Sequence, residues 1–410
     1  MTPFTIDNLP YGVISTVQNP RRRCAIAFED SAIDIDVLYR DGFFSSISAL
    51  RENIFAGASW NAFAILPSDV RTAFRDRLKA GILDNTINHA LLSLSTVQNH
   101  LPMVTHNFSD FYCSLEHASN CSKVFNLTLQ PNWFAIPSVY NGRTSSLAVS
   151  GTPVTRPYGM QRDLHDVTSV SFRPERQMDY ELEMGFWLSK PFPRGQRLKI
   201  ADAKDHIFGV TLLNDWSARQ IQGFEMPPLG PFHSKGSATS ISPWIVPIES
   251  LEAIKCERKT KQEPSPPPHL IQLDETASTF DIDLSVKILR DDKLYTLCES
   301  NLNELHWTPF QQLTHLASAG EGLTTGDVFG TGTISSTRTN LNGEKIGLGC
   351  LFERKLPEAK LESVPSDLFD TFLKDGDEVI LEAWCKDKTT GKVILGFGEC
   401  RAKLLPAVDE

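Results

Sequence analysis

Residues 179–190 read DYELEMGFWLSK. Leu182, Met184, Phe186 and Leu188 alternate with Glu181, Glu183, Gly185 and Trp187, the period of two that marks a β-strand with two distinct faces. Glu181 and Glu183 therefore share one face. Taken alone, the segment is equally compatible with an ordinary antiparallel strand whose wet side solvates both acids. Gly185 and Trp187, however, continue the acidic face with close-packing apolar positions, so that side is expected to run into the interior. Two buried carboxylates repel unless a cation lies between them, which makes a metal site the sharper reading.

The stretch lies in a chain of 410 residues, enough for two or three domains, or one large domain with an appendage. With 41% hydrophobic and 22% charged residues the composition is that of an ordinary globular protein. A net charge of −10 with no basic stripe argues against a nucleic-acid partner. The short basic clusters RRR (21–23) and KCERKTK (255–261) read as solvated loops. The opening MTPFTIDNLPYGV lacks the pattern of a signal peptide, and no apolar run is long enough to span a bilayer. No membrane partner and a cytoplasmic location are the expectation. The cysteines at 24, 113, 121, 256, 298, 350, 385 and 400 contain no CxxC pair and fit neither a zinc framework nor a disulfide scaffold. Reduced thiols are expected. The ending AVDE matches no familiar address signal.

Upstream of the acidic strand, YGVISTV, CAIAFED and SAIDIDV within residues 10–38 are short β-prone runs separated by turn residues. SDVRTAFRDRLKAGIL and then NTINHALLSLSTV, within 68–98, have helical spacing. From about residue 105 segments dense in Asp, Glu, His, Tyr, Arg and Gly alternate with strand-like HIFGVTLL, TFDIDLSVKIL, DEVILEAWC and KVILGFGEC, so this part should be largely β. The proline-rich CERKTKQEPSPPPHL (256–270) reads as a surface loop.

Two further stretches supply acids. In LLNDWSARQIQ (212–222), Asn214 or Asp215 is suited to cap a helix that carries Asp215, Arg219 and Gln222 on one face. An intrahelical Asp215–Arg219 ion pair accounts for that spacing. Alternatively, Asp215 leaves the end of a buried strand and supplies a third carboxylate to the cation. SDFYCSLEHASN offers Asp110 as a fourth, with Tyr112 and His117 beside it. Magnesium and calcium want six or more oxygens, and no nitrogen or sulfur set competes here. Four carboxylates around one dication remain anionic, and Lys235 in HSKGSAT is available to offset them. Nothing local separates a catalytic His117 from a structural one. The chain has no Walker lysine motif, HExxH or GxSxG, and GTGTIS lacks the third glycine of a dinucleotide fingerprint. Acids two apart on a strand suit a shared cation better than the flanks of a sugar.

DFY, PNW, GRTSS, SGTP, ELEM, HIFGV, NDWSARQIQ, PLGPF, SPW, FDIDLSV, QQLTH and GTIS, in that order over almost the whole chain, closely resemble the fumarylacetoacetate hydrolase family. The resemblance implies a mainly β fold with some α: a small N-terminal SH3-like β domain (1–104) and a large C-terminal mixed β-roll (105–410), working as a homodimer. It implies Asp110, Glu181, Glu183 and Asp215 as ligands of Mg2+ and/or Ca2+, with Lys235 and Thr239 supporting a second, magnesium position. His117 matches the general base and Glu353 the acid that orients it. Tyr112, Tyr140, Gln222 and Thr333 match substrate contacts, while Arg219, Gln222 and Lys235 match the group that receives developing negative charge. The implied reaction is metal-dependent hydrolysis of a carbon–carbon bond in a small β-diketo acid, by default 4-fumarylacetoacetate in tyrosine and phenylalanine catabolism.

Two positions depart from the family pattern. Asn126 stands where an arginine usually grips a substrate carboxylate, and Met226 where a tyrosine usually contacts substrate. Neither reproduces a bidentate, charge-assisted contact. A divergent relative acting on another dicarbonyl metabolite, by hydrolysis, decarboxylation or tautomerisation, is therefore the alternative. A non-catalytic binding protein is disfavoured, because clustered carboxylates without a cation destabilise a fold.

Overall fold

The computed structural model describes residues 4–163, 166, 168–359 and 361–408. Residues 1–3 of the opening stretch and 409–410 of the ending lie outside them.

The first hundred residues build a five-stranded sheet in the order Leu91–Ser93, Ser31–Asp34, Arg23–Phe28, Tyr11–Thr16, Val97–His100. The three β-prone runs form its antiparallel centre, with Tyr11 opposite Ile26 and Ala25 opposite Asp34. The third run stops short of its expected length because the Asp34 carboxylate accepts the Val37 N–H and caps a helix over Ile35–Arg40. The helix over Ser68–Leu83 forms as its spacing predicts, burying Phe74 and Leu78. Its Arg75 donates to the Leu9 and Asn8 carbonyls. The second expected helix does not form. Leu91–Ser93 pairs with Ser31–Ile33 and Val97–His100 with Val13–Thr16, so sheet pairing overrides the helical spacing of NTINHALLSLSTV.

The remainder is mainly β, as expected. One eight-stranded sheet contains the path Val139–Asn141, Phe108–Phe111, Val328–Gly330, Leu182–Leu188, Ile207–Asp215, Thr239–Ile241, Leu147–Val149. A five-stranded sheet runs Lys293–Asn301, Asp283–Arg290, Glu378–Lys386, Val393–Leu405, Val154–Thr155. The 256–270 segment is a loop, anchored by the buried Gln262, which donates to the His306 carbonyl at 2.6 Å.

Every residue of Leu182–Leu188 is buried, so the acidic face does turn inward. Met184, Phe186 and Leu188 enter the main core of the second half. Trp187, on the opposite face, packs with Phe208, Leu213 and Ile241 into the core formed under the N-terminal sheet. The strand is thus a wall between two cores, with Glu183 at one end of it.

Candidate active site

The acids converge because the ends of three interior strands of the eight-stranded sheet lie side by side. Asp110, next to last in Phe108–Phe111, lies opposite Tyr140 and Gly330; Asp215 ends Ile207–Asp215 opposite Thr239. Glu183 faces Leu213 on the neighbouring strand, and Glu181 precedes it, its N–H donating to the Asn214 side chain. Oxygens of Asp110, Glu181, Glu183 and Asp215 all lie within 4.8 Å of one another, and all four residues are buried. Gly330 leaves the space between two of them: a β-carbon there would stand 2.7 Å from Glu183 Oε2 and 2.9 Å from Asp110 Oδ1.

This nest is only partly neutralised. Lys235 Nζ donates to Glu181 Oε2 and Asp215 Oδ2, each at 2.6 Å. Arg219 reaches Glu181 Oε1 at 2.8 Å and is shared with Asp179. Burial raises the pKa of Glu181, but Lys235 and Arg219 together pull it below the ordinary carboxylate range. Asp110 and Glu183 have no such partner: burial, then the neighbouring acids, push both well above that range. Asp110 Oδ1 and Glu183 Oε1 are buried and accept no hydrogen bond from the described residues. Unsatisfied carboxylate oxygens aimed at one point, with no soft donor among them, fit a hard divalent cation. Tyr140 donates to Asp110 at 2.7 Å and Asp215 at 3.0 Å; Thr239 Oγ1 lies 3.4 Å from Asp215.

The helical reading of Asp215 fails. The strand runs through Asp215 and the helix begins only at Arg219, where Glu175 accepts the Gln220 and Ile221 N–H groups. Asp215 therefore faces the nest, while Arg219 pairs with Asp179 and Glu181. Pro227 and Pro228 disrupt the far end of the helix. Glu225 accepts from the N–H groups of Phe232, His233 and Ser234 and so fixes the turn that delivers Lys235.

Across the pocket, Ser114 caps the helix Leu115–Val124 and places His117 on its first turn. His117 Nδ1 lies 2.9 Å from Glu353 Oε2. Glu353 is fixed in turn by Asn120 at 2.9 Å and Ser335 at 2.7 Å. Burial lowers the His117 pKa, while Cys121, Glu353 and Cys350 raise it by more, leaving it well above the ordinary histidine value. Burial likewise opposes ionisation of Glu353, yet His117 and its hydrogen-bond donors hold it low. Glu353 thus stays ionised and anchors the imidazole through Nδ1.

Between His117 and the nest lies a cavity of about 340 Å³, lined by Asp110, Tyr112, His117, Tyr140, Glu181, Arg219, Gln222, Met226, Lys235 and Thr333, with Phe125 and Phe352 among its apolar walls. Tyr112 packs edge-on against His117. Arg219 donates to Gln222 Oε1 at 3.1 Å. The Thr333 hydroxyl is buried without a hydrogen-bond partner among the described residues. Glu183 and Thr239 stand behind the wall rather than on it. Asn126 is the one proposed contact that the fold does not bring near: it is exposed just past the histidine helix, at φ 55°, and Phe125 occupies the wall instead. The left-handed backbone at that helix end is a conformation asparagine tolerates, which gives Asn126 a local reason.

Sequence reasoning missed Asp179, whose carboxylate accepts from the Leu351 and Phe352 N–H groups at 2.8 and 2.9 Å as well as from Arg219. It also missed Asn120, Ser335 and Glu225. Asp179 stands two residues before Glu181 in the same acidic stretch; the others carry no comparable signal.

Residues 7–102 match the family described as Fumarylacetoacetase N-terminal, and residues 106–405 that described as Fumarylacetoacetate (FAA) hydrolase C-terminal. Over 419 residues the chain is 36% identical to fumarylacetoacetase of Rattus norvegicus, spanning 99% of this chain and 97% of that one. Identity to fumarylacetoacetase of Caenorhabditis elegans is 38%, spanning 98% and 97%. Among solved structures, a fumarylacetoacetate hydrolase from the psychrophile Exiguobacterium antarcticum matches with a TM-score of 0.52 over 97% of this chain and 99% of that chain, at 15% identity, a likeness of fold.

Proposed function

The chain belongs to the fumarylacetoacetate hydrolase family, and from that premise we propose that its pocket hydrolyses 4-fumarylacetoacetate to fumarate and acetoacetate. The observation that carries this reading is the buried His117–Glu353 pair facing the carboxylate nest across a single cavity. The alternative, a different dicarbonyl metabolite, is not favoured by identities of 36% and 38% to fumarylacetoacetases over nearly the full length.

Each residue has a task. Asp110, Glu181, Glu183 and Asp215 would hold Mg2+ or Ca2+, with Lys235 and Thr239 at the margin. When bound there, the ion polarises the carbonyl under attack. His117, held by Glu353, takes a proton from water, and the hydroxide adds to that carbonyl. The carbon–carbon bond then breaks with its electron pair passing to an enolate, which the proton held by His117 converts to acetoacetate. Arg219, Gln222 and Lys235 stand where that oxygen develops charge, and donors fixed in a dry site stabilise it strongly. Tyr112, Tyr140 and Thr333 position the substrate, with Met226 at the partly exposed rim.

Assembly as a homodimer, a cytoplasmic location and a role in tyrosine and phenylalanine catabolism belong to the same proposal. No helix among the described residues is long and apolar enough to cross a membrane. Exposed Phe172, Leu229 and Phe232 offer apolar surface for a second copy; light scattering at the elution peak would reveal a mass near one chain if the dimer is wrong.

The deciding experiment follows the diketone absorbance of fumarylacetoacetate with magnesium or calcium, with and without chelator. Metal-dependent loss yielding fumarate and acetoacetate is the expected result. Folded, metal-loaded protein that leaves the absorbance unchanged overturns the proposal.

A further inference from the structure

One face of the helix Leu115–Val124 carries His117 and Cys121, and Phe125 continues that face one turn later at the C-cap. All three line the cavity. The proposed reaction uses the histidine and leaves the thiol idle. The Cys121 sulfur lies 3.8 Å from His117 Nδ1 and 3.6 Å from Nε2. With Nδ1 held by Glu353, Nε2 is the nitrogen left to take a proton, whether from water or from this sulfur.

The other cysteines lack this setting. Cys350 also approaches His117, 3.9 Å from Nδ1, but is fully buried and does not line the cavity. Cys256 is half-buried like Cys121, yet sits beside Asn303 at 3.8 Å and away from the cavity. A thiol beside a base is activated as a nucleophile, whereas a buried one is inert. The cavity is also furnished for a ligand at this point. The Thr333 hydroxyl lines it, buried and without a hydrogen-bond partner among the described residues, and so is free to donate to a ligand oxygen. Phe125 and Phe352, with centroids 5.3 Å apart, add an apolar wall suited to a flat conjugated chain.

The ketone attacked in fumarylacetoacetate is conjugated with the fumaryl double bond. A substrate placed for attack by water on His117 brings that alkene, one bond further on, beside the Cys121 sulfur. We propose that Cys121 is a covalent modification site for unsaturated keto acids, the substrate among them, and that the adduct fills the cavity and silences the enzyme. The sulfur forms a bond to the alkene carbon remote from the ketone while its proton passes to His117 Nε2. The alkene electron pair moves to the ketone as an enolate, and His117 returns the proton to the carbon next to that ketone. Thiol and alkene are consumed one for one, with no oxidant or further reactant. The identity of the electrophile rests on the function proposed above.

The test incubates the full chain with magnesium and replenished fumarylacetoacetate in thiol-free buffer, reading turnover and peptide masses over time. Turnover should decay as the Cys121 peptide gains the mass of one substrate or of its fumaryl half, with Cys256 labelled at least about tenfold more slowly. Cys121→Ser should carry no adduct there and hold its own initial rate. His117→Ala should form the adduct at least about tenfold more slowly than the wild type. Sustained turnover with Cys121 unmodified overturns the proposal, as does equal labelling of Cys121 and Cys256. Unaltered decay in Cys121→Ser, or an unaltered adduct rate in His117→Ala, overturns it as well. Should either variant unfold, the wild-type peptide masses decide the matter. A Cys121 adduct on folded protein that never turns over counts against the proposed function alone; neither adduct nor turnover overturns both.

Discussion

The aromatic cluster beneath the N-terminal sheet and the carboxylate nest are both buried, and they use that burial in opposite ways. Tyr11 stacks on Trp60 at 4.5 Å, while Phe63 and Phe44 each sit 4.7 Å from Phe74, so every ring exchanges water for apolar contact. In the nest the same low dielectric sharpens repulsion among four acids that two cations, one of them shared with Asp179, do not neutralise. The first region stabilises the fold by itself. The second is completed by something the chain does not supply, and its burial is a cost until then.

The contrast can be broken at its extremes. His117→Ala should lower turnover by about 10²- to 10⁴-fold, the usual contribution of a general base. Magnesium stoichiometry should not change, while the melting temperature should fall because Glu353 loses its buried partner; turnover close to wild type would remove His117 from the reaction. Phe63→Ala should cost about 3–5 kcal/mol of stability in denaturant melts, by the same amount with and without metal. A metal-dependent cost would mean that the aromatic cluster and the nest are not separable.

A finer test uses the metal and the pH together. Asp110 and Glu183, raised by burial and neighbouring acids, bind protons more tightly in the ion-free folded chain than in the unfolded one. Their protons therefore stabilise the folded chain fully below the unfolded value of about 4, and that stabilisation is lost as the pH rises through the raised values. Chelated protein should melt at a lower temperature at pH 8 than at pH 6, with the slope flattened by magnesium or calcium. At a hundred times its Kd the ion should add about 2.7 kcal/mol. A chelated protein whose melting ignores both pH and metal would show that the nest carries no excess charge. Asn126→Arg, outside the cavity wall, should cost about 1 kcal/mol of stability, because the φ of 55° suits asparagine better than arginine. Its kcat and KM should barely move; a clear gain in kcat/KM would return position 126 to the site.

What the sequence disclosed divides along the same line. The alternation of Leu182 to Leu188 announced a buried acidic strand, because period and composition agreed. Helical spacing located Ser68–Leu83 correctly, yet misled at residues 85–97, where pairing with distant strands decides the outcome. The metal-type acids were legible because clustered carboxylates demand an explanation. Asp179, Asn120 and Ser335 were not, since their partners are backbone amides and side chains far along the chain. The i, i+4 spacing of Asp215 and Arg219 suggested one helix; Trp216 is instead buried after a strand that runs through Asp215, and the residues face different partners.

The wall formed by Leu182–Leu188 has a bearing on damaged or truncated chains. A fragment lacking the first hundred residues would still encode every acid of the nest and the histidine opposite. It would also leave Trp187, Phe208, Leu213 and Ile241 uncovered, on the same strands and sheet that hold Glu183 and Asp215. Such a fragment is a substrate for quality control rather than a slower enzyme. Lesions in the N-terminal aromatic cluster should accordingly appear in cells as lost protein abundance, with the surviving molecules working at full speed.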